Sequence, residues 1–337
     1  MPILNNIRHN MNTKIFTGIA LASLLVLGCS TFDDVLDRTN YTQYDTSSFP
    51  SNEKDAIEAV NAIYGPLASM YTNPENVAIF RNNLASDDMF GGGSTTNAPA
   101  QAMDRFMDNK ADGSQTNWKH CYSGIFRANW AIQSIDEMND DLFSSKDFKN
   151  YLLGQAYFLR AVYYWELAEK YEGVPLILET SPVNYPRASA EEIFESITND
   201  LLKAIQLIPA KYGYTTESDY AGRATKYAAE GILARVWLFY TGFYKKTEMF
   251  GVSKADIISY LKDVRDNSKF ALESDQRNIW PYTNEYGSGF AYGTDFDTYV
   301  SRENLHWVGN HSKETVWGVH FSQIGRASLP AASGITV

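Results

Sequence analysis

Five histidines are the obvious place to begin looking for chemistry in this 337-residue chain. His9 lies in or before an apolar leader, and the other four show no metal-ligand spacing. The chain holds no H-E-x-x-H pair, no G-x-S-x-G elbow and no G-x-x-x-x-G-K loop, so three common catalytic signatures are missing. Asp87-Asp88, or Asp295 with Asp297, supply two carboxylates of the kind a glycosidase needs, but their spacing in sequence does not fix their separation. Asp295, Asp297 and Glu303 are also candidates for a surface Ca²⁺, and no other cofactor is expected. The run Asp108 to Gly113 has the outline of a calcium loop, yet Lys110 takes a ligand position and Lys119 replaces the closing acid. Gly91-Gly92-Gly93 has the backbone freedom to cradle an anion, without a following helix that brings a Lys. The remaining chemistry is recognition. Sugars present C–H faces and hydroxyl rims, so a receptor needs flat rings with polar groups at their edges. Trp280, Tyr282, Tyr286, Phe290 and Tyr292 stand among Gly and Asn, and Phe90 and Asn97 flank the glycine triplet. These seven are the candidate ligand-binding residues. Core packing is the competing reading for each ring.

Something must hold such loops. SNEKDAIEAVNAIYGPLASMY puts Ala56, Val60, Ile63 and Leu67 at helical steps behind a Ser51 or Asn52 cap. Further amphipathic helices are expected over Thr116–Met138, Asp147–Tyr171, Ser189–Ile208, Thr225–Tyr240 and Ser253–Asn267. Ser189 and Glu192 have capping-box spacing, and Pro209 closes that helix. Small residues (Gly154, Ala156, Ala161, Ala168; then Ala224, Ala228, Ala229, Gly231, Ala234) alternate with Tyr, Phe and Trp in two of these segments. Small residues let helix axes approach and large ones fill the facing grooves, as stacked hairpins of the tetratricopeptide type require. The fold expected is mainly α: stacked helical hairpins over 51–270 with a loop-rich, partly β portion over 271–337. The β element is ETVWGVHF, whose alternation predicts a short strand.

The first fifty residues read differently. Ile15 to Leu27 is an apolar run of 13 residues; as a helix it spans ~20 Å, short of the ~30 Å hydrocarbon core. With Arg8 and Lys14 before it, this is a signal peptide, with Met1 or Met11 as its start. Val26-Leu27-Gly28-Cys29 has the form of a bacterial lipobox, in which Cys29 is lipidated and becomes the new N-terminus. A cysteine merely buried in a hydrophobic helix is the bland alternative. The division expected is 1–28 signal peptide, then 29–50 acidic surface linker with Asp33 and Asp34. Once Cys29 is lipidated, Cys121 has no disulfide partner.

Several stretches together resemble the RagB/SusD family of outer-membrane nutrient-uptake lipoproteins. They are GCSTFDD; Leu84 to Phe106; Tyr151 to Ile177, with Phe158-Leu159-Arg160-Ala161 and Gly173-Val174-Pro175-Leu176; ATKYAAEGILARVWLFYTG; and KETVWGVHF. The resemblance implies a non-catalytic lipoprotein of the outer membrane that binds an oligosaccharide and hands it to a SusC-like TonB-dependent transporter. It also implies a longer C-terminal region than this chain has, so the chain reads as C-terminally truncated. A formal net charge of −11 argues against nucleic acid, whose phosphates demand a basic surface. The rival from another class is a helical-repeat scaffold that binds proteins or peptides. Aromatics exposed on loops favour a sugar; aromatics along a helix face favour a peptide.

Overall fold

The computed structural model describes residues 49–72, 83–86, 89–91, 98–107, 114–213, 222–279, 303–308 and 312–319. All of these but Phe49 belong to the unit that begins at Pro50. Among these residues the helices are α1 (Glu53–Thr72), α2 (Ala98–Asp104), α3 (Ser114–Glu137), α4 (Lys146–Tyr171), α5 (Ala190–Leu207), α6 (Lys226–Phe243) and α7 (Lys254–Asn267). Short 3₁₀ turns cover Asp140–Leu142 and Gln276–Ile279. Apart from the short α2, each helix packs on the next in order: α1 on α3, α3 on α4, α4 on α5, α5 on α6, α6 on α7. This is the stack of helical hairpins that the sequence pattern requires.

The helix ends follow local chemistry. Ser145, Ser189, Thr225 and Ser253 each turn a side-chain oxygen to a backbone N–H three residues on. At Ser189 and Ser253 the partners Glu192 and Asp256 reach back to the cap N–H, completing the capping box. Pro66 lies inside α1. A proline has no N–H, so the Ala62 carbonyl loses its donor within the helix. Arg127 of α3 supplies one, Nη1 to Ala62 O at 2.7 Å.

The core forms where small and large residues interlock. Ala161 is fully buried and Ala234 nearly so. The closest approaches are at glycines: a Cβ on Gly154 would stand 2.5 Å from Ile208 Cγ1, and one on Gly124 would stand 2.1 Å from the Tyr163 ring. Gly231 departs from the expected pattern. Nothing lies within 4 Å of where its Cβ would be, because it faces away from the neighbouring helices. Rings fill the facing grooves, with Trp165 edge-on to Phe194 and to Phe239 at 5.9 and 5.0 Å between centroids. Cys121 is buried and free, its Sγ 4.0 Å from Met70 Sδ, and burial pushes its thiol well above the ordinary value.

A buried ion pair joins three of the layers. Arg160 of α4 donates to both oxygens of Asp200 on α5, at 2.7 and 2.6 Å, and to Asn129 Oδ1 on α3 at 2.9 Å. Both charged side chains are under a tenth exposed. Asn129 in turn donates to Ile177 O at 2.9 Å. The segment after α4 therefore lies on α3: Tyr122 holds Pro175 O, Asn129 holds Ile177 O and Gln133 accepts from Thr180. The geometry closes, since five extended residues and eleven helical ones both cover ~16 Å. Ala188 N returns to Val174 O at 3.0 Å, so α4 and α5 are a hairpin with a side loop at its joint.

One expected element is absent among the described residues. Over Thr315–Val319 the chain makes bends rather than a strand. Val316 and Trp317 are both half-buried, and Trp317 packs edge-on against Phe158 of α4 at 5.0 Å. The alternation there reflects packing on a helix, not a ladder with an inner and an outer face.

Candidate functional site

The aromatic stretch expected to meet a ligand begins at Trp280, outside the described residues, and the described flanks are tied to one another. Ala271 N donates to Lys313 O at 3.0 Å, and Val308 N to Asn278 O at 3.0 Å. Asn278 is buried, and its Oδ1 accepts from His306 N at 2.8 Å. Glu273 Oε1 accepts from Ser312 Oγ at 2.8 Å and from Lys313 N at 3.2 Å. Arg277 pairs with Asp275 at 2.7 Å and with Glu303 at 3.5 Å, and it holds the Asp275 carboxyl below the usual carboxylate range. The chain entering 280–302 and the chain leaving it are thus fastened side by side. Trp317 and the α7 end anchor this stem, where Tyr227 donates to Asn267 O at 3.0 Å.

Of the second group of candidate residues, around the glycine triplet in sequence, only Phe90 and Gly91 are described. Phe90 is 89% exposed beside a buried Gly91. Phe106, not singled out from sequence, is 81% exposed and sits at φ 53 directly after α2, with Met107 also exposed. Glycine is the usual residue in that left-handed position. A phenylalanine held there with its ring in solvent forgoes both burial and backbone ease. Phe126 and Phe243 are less exposed, at 59 and 60%, and lie on α3 and α6.

Of the seven candidate ligand-binding residues, Phe90 alone falls among those described. Asn97, Trp280, Tyr282, Tyr286, Phe290 and Tyr292 lie outside the described residues, as do Cys29, Asp295 and Asp297. Glu303, a candidate Ca²⁺ ligand, is instead engaged by Arg277. Among the described residues no cluster of acids, His and Cys has the geometry of a metal site, and no helix is long and apolar enough to cross a membrane.

The family model for SusD-like proteins, described as starch-binding and associating with the outer membrane, matches residues 34–238. The chain belongs to the SusD-like family. A SusD-like protein of Bacteroides ovatus is 27% identical over 281 residues, covering 81% of this chain and 48% of its own length. A second relative, from Formosa agariphila, is 21% identical over 284 residues, 81% of this chain and 50% of its own. The chain spans about half the length of the curated relatives it matches. The fold agrees with a laminarin-binding SusD-like protein at TM-score 0.57 and 24% identity, over 70% of this chain and 50% of that one. It also agrees with surface glycan-binding protein A from Bacteroides thetaiotaomicron in complex with laminarihexaose, at TM-score 0.54 and 21% identity, over 70 and 47%. SusD-like architecture therefore accounts for the stacked hairpins and for the marker segments on α4 and α6.

Proposed function

We propose that this SusD-like chain is a non-catalytic receptor for a neutral oligosaccharide, held at the outer membrane by lipid on Cys29. It delivers the bound glycan to a SusC-like TonB-dependent transporter. The observation that carries the reading is the closed stem around Asn278 and Glu273, which flanks a stretch of sequence bearing seven aromatic residues from Trp280 to Tyr299. Stacking rings contribute on the order of 1–3 kcal/mol each, by analogy with bases on aromatics. A net charge of −11 disfavours polyanionic glycans at long range. Laminarihexaose, bound by a protein of the same fold, is a suitable first probe within a panel of neutral oligosaccharides.

Trp280→Ala is expected to weaken binding of the best oligosaccharide about tenfold or more, with far-UV circular dichroism unchanged. Wild-type affinity in that variant, measured by calorimetry, would place the sugar elsewhere. Cys29→Ser is expected to move the protein from the membrane to the soluble fraction, because acyl chains contribute ~0.8 kcal/mol per buried CH₂. Continued sedimentation of the variant with membranes at high salt would refute the anchor.

A further inference from the structure

The last helix of the stack is lightly held. Of the 14 residues of α7 only Ile257 is buried, while Ile258 and Leu261 face solvent. A helix of that length is marginal without tertiary support. In place of an apolar seam α7 has a polar clasp to α6. Lys226 of α6 donates to Asp263 Oδ2 at 2.6 Å and stands 3.4 Å from Oε1 of Glu230, one turn on along its own helix. Asn267 Nδ2 donates to Asp263 Oδ1 at 2.5 Å, and Tyr227 of α6 donates to Asn267 O at 3.0 Å. Two carboxyl groups therefore flank one ammonium, and the Glu230 side chain is 1% exposed. Glu230 and Asp263 also lie within hydrogen-bond reach of each other. A carboxylate only accepts, so a bond between two carboxyl groups requires a proton on one of them. Like charges sharing a buried site with a single cation do not both ionise.

We infer that α7 is fastened to α6 by a proton shared between Glu230 and Asp263, so that the clasp closes in mildly acidic solution and loosens as the proton leaves. Glu230 is the group that carries it. Burial, opposed by Lys226 and reinforced by Asp263, pushes its carboxyl up to about 7. Hydrogen bonds from Lys226 and Asn267 hold Asp263 below the usual carboxylate range. The other groups around the clasp leave this balance alone. Burial raises the Tyr227 and Tyr260 hydroxyls, which stay neutral. Asp256 is held low by its cap partner Ser253, and Asp266 is engaged by Arg265 at 2.6 Å. Lys262 lies nearby on α7, and α5 contributes the uncharged Ile205. The sign follows from linkage. With α7 docked, Glu230 keeps its proton to higher pH than in an opened state where water reaches it. Docking is therefore strongest below the ordinary glutamate value of 4.5 and weakens as pH rises from there to about 7. Asp263 acts in the opposite sense, and only below its ordinary value of 3.8.

The test is hydrogen exchange of the full chain between about pH 5.5 and 8, read by mass spectrometry and corrected for the intrinsic pH dependence of amide exchange. Amides of α7 should exchange about tenfold faster at pH 8 than at pH 6, while those of the buried middle of α4 should not change. Glu230→Gln puts an N–H donor where the proton was. In that variant α7 should keep its acidic-side protection up to pH 8 and lose the pH dependence. Lys226→Met removes the cation between the carboxyl groups, so the proton is held more tightly and the loss of protection should move to higher pH. A flat profile in the wild type would overturn the inference. So would a wild-type profile in Glu230→Gln, an α7 that is open at every pH in Glu230→Gln, or a shift to lower pH in Lys226→Met.

Discussion

Asp200→Ala is expected to destabilise the helical unit by about 3–5 kcal/mol, the cost of breaking a buried pair by removing one partner. The cause is the survivor. Arg160 is anchored in α4, nearly excluded from solvent, and bonded to both Asp200 oxygens; a guanidinium cannot shed its proton at any pH of interest. Arg160→Met should be milder and dependent on pH. Burial already raises the Asp200 carboxyl above its ordinary value, in spite of the guanidinium beside it. Without Arg160 that carboxyl is raised further, so the folded state holds a proton that the unfolded state releases, and stability falls as pH rises from about 4 towards neutrality. Replacing both, Arg160→Met with Asp200→Leu, should recover most of the loss, since buried pairs exchanged for apolar residues are often neutral. Urea unfolding of the three variants checks this. A loss below about 1 kcal/mol for Asp200→Ala would mean that water reaches the pair.

Gly124→Ala is the second large effect. Alanine normally favours a helix over glycine by ~1 kcal/mol, so the sign is contested. The added Cβ would lie 2.1 Å from Tyr163 Cε2 and 2.2 Å from Cζ. Tyr163 has no room to retreat: it is fully buried, and its hydroxyl donates to Ile63 O on α1. Overpacking at ~1–3 kcal/mol, plus a disturbed buried hydrogen bond at ~1 kcal/mol, outweighs the propensity gain. The net expectation is a loss of about 2 kcal/mol, seen as a lower thermal midpoint. Gly124→Ala combined with Tyr163→Leu should be less destabilised than the sum of the two single changes, because the second removes the clashing ring. An unchanged midpoint for Gly124→Ala alone would show that α3 and α4 can separate at little cost.

The helices were legible because their signals are local. Ser189 and Glu192 are three residues apart, and a capping box needs nothing more distant. The residues bearing small/large alternation are largely core, as with Ala161 and Tyr164. What sequence could not supply depends on partners far along the chain. Gly124 meets a ring 39 positions away, and nothing around either residue announces the meeting. The stem of the aromatic loop rests on Asn278 and Glu273, whose partners follow about 28 and 39 residues later; to a local reading both are ordinary polar loop residues. Alternation misled at Val316 and Trp317 because packing on α4 can mimic a pleat. Phe106 carried one faint signal: a large apolar residue placed just beyond a helix end, where glycine is usual.

Pro66 has a consequence in time. The carbonyl it orphans at Ala62 is answered by Arg127, 65 positions later. A twenty-residue helix interrupted by proline has little stability alone, since nucleation is costly and isolated helices of this length are marginal. During synthesis at ~5–20 residues per second, the donor follows the acceptor by about 3–13 s. For that interval the amino-terminal segment is a chain without a fold, open to whatever factor handles nascent polypeptides. Its packing waits on later elements as well, since Tyr64 of α1 donates to Gln155 and accepts from Ala224 N.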